Sequence, residues 1–227
     1  MSSGLFVVGV DLGQAQDYTA ICVVEATATE YRRTVSDLDP EYRVRRELQE
    51  TYCDRPVSYE LRYLERLPLG TFYPQAVERT KEIVHRLPAG EWLLAVNHTG
   101  VGRPVVDLFE QADLRPVAIS ITGGDAVQGE GRRLWVPQRD LVGVLTVAFQ
   151  SSRLKIAQAL PLAKELFDFK VKTDAWAAHE TYGAWREGQH DDLVLSVALA
   201  CWTAERWFST PPEEIVILDN FRMISRY

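Results

Sequence analysis

Two adjacent acids, Asp191 and Asp192, open the most apolar helical stretch of the sequence, DDLVLSVALACWTAERW. A third, Asp11, ends the first apolar run, LFVVGVD. An acid at the carboxyl end of a buried strand stands at the rim of a rigid sheet, and acids at a helix N-terminus are favoured in the ionised form by the helix dipole. Carboxylates brought together from such positions bind hard cations such as Mg2+. Two such ions roughly 3.5–4 Å apart activate water and stabilise the leaving oxygen of a phosphodiester. One more acid is expected at the end of the strand Trp92–Val96, but Asn97 stands there. Each residue alone has a plainer reading. Asp at a helix start is commonly an N-cap, a strand-end Asp is commonly a turn residue, and a lone His such as His190 is commonly a surface or capping group.

The elements that must position these residues are readable from periodicity. Leu5–Asp11 and Thr19–Glu25 read as buried strands joined by a polar turn, a β-hairpin. Val57–Leu67 alternates and reads as a third strand. Residues 26–56 are charged and aperiodic, and read as an insertion with a short helix near Glu41–Glu50. Tyr73–Leu87 is predicted helical and is ended by Pro88 and Gly90. Trp92–Val96 is a strand, and Pro104–Gln111 a helix with proline in its first turn. Pro116–Ile121 is a strand, the glycines at 123–124 and 129–131 bracket a loop or hairpin, and Gln138–Gln150 and Leu160–Phe169 are helices. Asp191–Trp207 is apolar nearly all round and must be buried. After Pro211–Pro212, EIVIL reads as one edge strand of a tail, 208–227, following a domain at 1–207. Strands that first pair antiparallel and later alternate with helices give an α/β fold: a mixed central sheet with helices on both faces.

With 227 residues, 46% hydrophobic and 25% charged, the chain has the size of one large domain and the composition of a globular one. No apolar run reaches the roughly 18 residues of a membrane span, and Met1–Gly4 lacks a signal-peptide pattern. Three widely spaced cysteines, Cys22, Cys53 and Cys201, point to reduced thiols in the cytoplasm and form no CxxC metal knuckle. The net charge of −7 argues against wholesale nucleic-acid binding. Yet residues 128–172 hold eight basic and four acidic side chains, a local excess of positive charge. Arg132 and Arg133, on the glycine-flanked hairpin, and Arg153 and Lys155, just after a helix, are candidates for sequence-independent phosphate contacts. Lys164, Lys170 and Lys172 read as a solvated helix face.

Five segments occur in order: GVDLGQAQDYTAI (9–21), VNHTGVGRPVVDLF (96–109), ISITGG (119–124), LWVPQRDLVGVLTVAFQSSRLKIAQALPLAKEL (134–166) and HDDLVLSVALA (190–200). Together they resemble the nuclease domain of the large terminase subunit of tailed phages, across most of residues 5–207. The resemblance implies an RNase H-like fold and metal-dependent cleavage of double-stranded DNA, with two Mg2+ or Mn2+ ions per site. It implies Asp11 as a metal ligand, Asp191 and Asp192 as an acidic pair with Asp192 the essential member, and position 97 as a metal position. It also implies work with packaging proteins, a separate ATPase motor, portal or small terminase, in the host-cell cytoplasm.

Two departures stand out. Asn97 replaces the family's Asp in a VDxTGVG-like motif; it keeps one carbonyl oxygen and loses the charge. No GxxxxGK[ST] phosphate loop is present, so the chain by itself lacks the packaging motor. These leave open an attenuated metal-dependent endonuclease, and an inactive DNA-binding or assembly module on the same fold. A third reading, an actin-like or sugar-kinase-like nucleotide binder, rests on GVDLG (9–13) alone and is weakest, because that class normally needs two such domains.

Overall fold

The computed structural model describes residues 2–13, 17–38, 45–90, 92–156, 165 and 191–209, and only the backbone of 2–3 and 29–55. Eight strands form one sheet: β1 (Ser2–Asp11), β2 (Ala20–Leu38), β3 (Arg45–Arg66), β4 (Trp92–Asn97), β5 (Val117–Thr122), β6 (Gln128–Glu130), β7 (Arg133–Pro137) and β8 (Leu154–Ile156). Four helices are described: α1 (Tyr73–Val84), α2 (Arg103–Gln111), α3 (Gln138–Gln150) and α4 (Asp192–Ser209). The spatial order is β6-β7-β5-β4-β1-β2-β3-β8. β1, β2 and β3 pair antiparallel, while β4 joins β1, β5 joins β4, β7 joins β5 and β8 joins β3 in parallel. This is the mixed central sheet of antiparallel and parallel strands expected of the sequence.

Because β1 is central, both of its faces are covered. Val7 packs in one core with residues of α3 and α4. Val8 and Val10 pack in a second core with Val77, Ile83 and Phe109 of α1 and α2. A strand buried on both faces reads as an unbroken apolar run rather than an alternating one, which is why LFVVGVD was legible. α4 is buried on nearly every side and lies directly on β1. The approach is close enough that a Cβ on Gly9 would stand 2.1 Å from the backbone oxygen of Ser196. Cys22 and Cys201 are buried free thiols. Burial pushes the Cys22 thiol up to about 12, so it stays protonated.

The helix expected near Glu41–Glu50 is not found at its described end: from Arg45 onward the chain is strand. β2 and β3 continue as a two-stranded ribbon, with Glu30 opposite Cys53, Tyr31 opposite Tyr52 and Leu38 opposite Arg45. Here backbone pairing along the ribbon overrides a weak helix preference. β8, three residues long, was not expected; it is too short to show a period. The predicted hairpin after Gly123–Gly124 is β6–β7, with Gly129 at φ +104°, a conformation that favours glycine. The helix expected at Leu160–Phe169, apart from Glu165, and the EIVIL strand lie outside the described residues. No helix among the described residues is long and apolar enough to cross a membrane.

Replacing Gly9 with Ala forces β1 and α4 apart. A loss of about 1–3 kcal/mol is expected, as for other overpacked cores, measured as a lower urea midpoint at unchanged m-value.

Candidate active site

Strand register sets the site. Asn97 of β4 lies beside Asp11 of β1. Asp11 lies opposite Ala20 of β2, and Ala20 opposite Arg66 of β3. Alternation turns this row to the α4 side of the sheet, because Val7 and Ala95, on the same face of their strands, pack in the α3–α4 core. The first turn of α4 reaches the same rim. Ser196 sits over Gly9, and the four residues back to Asp192 span about 6 Å of helix, close to the ~6.6 Å from Gly9 to Asp11 along the strand. The structure thus brings Asp11, Asn97, Asp191 and Asp192 to one rim, all four buried.

A hydrogen-bond chain of fixed polarity runs through this rim. The Ile121 backbone N–H donates to the Thr99 hydroxyl at 2.7 Å. That hydroxyl donates to Asn97 Oδ1 at 2.5 Å, and the Thr99 backbone N–H donates to the same oxygen at 3.0 Å. A backbone N–H cannot accept, so the amide orientation is settled: its nitrogen faces Asp11 and donates to Oδ1 at 2.6 Å. Asn97 therefore acts as a donor to Asp11 and spends its oxygen on Thr99.

Across the row, the Arg66 guanidinium lies 3.5 Å from Asp192 Oδ2, is bonded to Glu165, and sits 5.0 Å from the centre of the Tyr18 ring. Glu165 also accepts from the Leu193 N–H at 3.2 Å, so it caps α4 where the helix dipole favours an anion. Burial, and then the charge of Asp192, raise the Glu165 carboxyl above its usual range, while Arg66 opposes them. His98 points to the other side of the sheet, 3.2 Å from the Ser120 hydroxyl. Burial, and then the nearby Arg133 charge, lower its pKa and favour the neutral ring.

A hard dication needs several oxygens facing one point. Here Asn97 turns a nitrogen toward Asp11, and Asp192 and Glu165 face a guanidinium. Among the described residues, no three His, Cys, Asp or Glu side chains gather as a metal-binding group. The arrangement does not fit a two-dication centre as it stands.

The basic candidates do not form one patch. Arg132 and Arg133 lie at the β7 edge and Arg153 and Lys155 at the β8 edge, six strand steps apart, on the order of 30 Å. Arg132 donates to the Arg115 carbonyl at 2.7 Å, whereas Arg133 and Lys155 are exposed. Arg153 turns inward: it donates to the Val57 carbonyl at 2.7 Å and to Glu205 at 3.0 Å, clamping β3 to α4. His190 lies outside the described residues. Sequence reading missed Thr99, Arg66 and Glu165. Thr99 follows Asn97 by two residues, a signal present in the sequence, whereas Arg66 is placed by strand register. Glu165 carried none beyond its place in an amphipathic segment.

Thr99→Val removes the hydroxyl that links Ile121 to Asn97 and leaves the Ile121 N–H without it. A stability loss of about 1–3 kcal/mol is expected, with most of it recovered in Thr99→Ser, as read from chemical denaturation.

No protein-family model matches this chain, and no curated protein does. Among solved structures, it is similar to the large terminase nuclease from thermophilic phage G20c, at 16% identity and TM-score 0.49, over 87% of this chain and 81% of that one. It is also similar to the human cytomegalovirus terminase nuclease domain, Mn soaked, at 11% identity and TM-score 0.43, over 89% of this chain and 85% of that one.

Proposed function

We propose that this chain is a nuclease domain of the terminase type, acting on double-stranded DNA at the rim formed by Asp11, Asp191 and Asp192, with cleavage held low by Asn97. The observation that supports this reading is the convergence of a strand-end acid, position 97 and the acidic start of α4 at one buried rim of the sheet. These residues are scattered along the chain, and the ordinary capping or turn roles of each would not require them to meet. Mg2+ or Mn2+ belongs to the reading as the expected cofactor, for which the native donor set is one carboxylate short. A separate ATPase motor, portal or small terminase as partners, and the host cytoplasm as location, belong to it as well.

A second reading, an inactive DNA-binding or assembly module, is favoured by one observation: the Asn97 amide donates to Asp11 rather than offering it a shared ion. Plasmid nicking separates the two. The native chain is expected to nick supercoiled plasmid weakly in Mn2+ and more weakly in Mg2+. Asn97→Asp should raise the rate about tenfold or more, since about 1.4 kcal/mol is a factor of ten, while Asn97→Ala should not. Retention of plasmid without cleavage by both the native chain and Asn97→Asp, in either metal, would select the inactive module. Native cleavage undiminished in Asp11→Asn would remove the rim from the reaction.

Binding itself is expected to draw on the β6–β7 edge. Replacing Arg132 and Arg133 with Ala should weaken DNA binding equally for unrelated sequences. It should also flatten the log–log salt dependence by about one unit per lost phosphate contact, measured by fluorescence anisotropy across a salt series.

A further inference from the structure

The two departures of this rim from a full carboxylate set fit each other. Asn97 in place of an acid removes one negative charge and supplies an N–H donor to Asp11 at 2.6 Å. Arg66 supplies a permanent positive charge to Asp192, 3.5 Å away, and to Glu165. A guanidinium stays protonated at any physiological pH and offers donors in a planar fork. It is also held in place: Arg66 shares the sheet row of Asp11 and Asn97 through Ala20, and the Tyr18 ring lies 5.0 Å from it. A buried acid group that lacked both devices would need an ion or a proton to balance it.

We propose that Arg66 is a resident counter-ion of the site and, with the Asn97 amide as donor to Asp11, offsets part of the carboxylate charge without a divalent ion; a dication enters only in competition with the guanidinium. The proposal rests on the rim being the functional site, and it assigns Arg66 a charge-balancing role rather than a catalytic one. It accounts for Asp192 and Glu165 sharing one cation.

The test uses the purified full chain without DNA, so it is independent of cleavage. Mn2+ binding is titrated by electron paramagnetic resonance, and melting temperature is followed in EDTA and in Mn2+. The native chain is expected to melt at the same temperature in both and to bind Mn2+ weakly. Arg66→Gln should melt lower in EDTA, recover in Mn2+, and bind Mn2+ about tenfold tighter, because a charge removed at this range is worth at least that factor. Asn97→Asp combined with Arg66→Gln should bind tighter than either single change. If Arg66→Gln does not fold, Arg66→Lys decides, since it keeps the charge in a more displaceable form; its Mn2+ affinity should exceed the native value about threefold. A folded Arg66→Gln or Arg66→Lys with native Mn2+ affinity overturns the proposal. So does a native melting temperature that rises steeply with micromolar Mn2+. Either result leaves the nicking experiment unaffected, and absence of nicking leaves this one unaffected.

Discussion

The pairing of Asp11 with Asn97 is the contact on which the rest of the rim depends. Two carboxylates at these adjacent, buried positions would repel strongly, whereas an amide beside a carboxylate makes a hydrogen bond that needs no third party. Its direction is imposed from outside the pair. The β5 backbone at Ile121 orients Thr99, Thr99 fixes the amide, and the amide presents N–H to Asp11. β1, β4 and β5 are thereby coupled at their carboxyl ends through side chains as well as through the strand ladder.

Opposite this chain, α4 brings its own requirements. Its first turn has unsatisfied N–H groups to place, and the Glu165 carboxylate takes one of them. The same carboxylate holds Arg66. Glu165 therefore serves helix, cation and rim together, and the elements that carry the acids are tied by polar contacts near a largely apolar interior. The Arg153 clamp to Val57 and Glu205 ties β3 to the body of the same helix. Arg66 and Arg153 thus hold α4 to the β3 side of the sheet at two points.

Much of this architecture was visible in the sequence because it is written in local patterns. Apolar runs closed by Asp11 or Asn97 mark central strands, proline and glycine mark helix limits, and the uniformly apolar stretch after Asp192 marks a buried helix. The acids at element ends were legible for the same reason. What was not legible depends on register. The ribbon of β2 and β3 follows from cross-strand pairing between residues 29–38 and 45–54, whose composition alone resembles a charged loop. Arg66 gains its meaning only when Ala20 is found between it and Asp11. Arg153, read from charge as a surface cation, is drawn inward by a carbonyl and a carboxylate that no linear spacing relates to it.

The close crossing of Gly9 and Ser196 has a bearing on how such a site tolerates change. The acids are located by two backbone relations, the parallel ladder between β1 and β4 and the direct seating of α4 on β1. Both are backbone approaches, and the second holds only while position 9 carries no side chain. Exchange among apolar residues elsewhere in the two cores alters how firmly the layers adhere, but not where Asp11 and Asp192 stand relative to one another. Placement of the functional groups thus draws on main-chain approach and a few polar ties, and the apolar side chains elsewhere in the scaffold are freer to diverge around it.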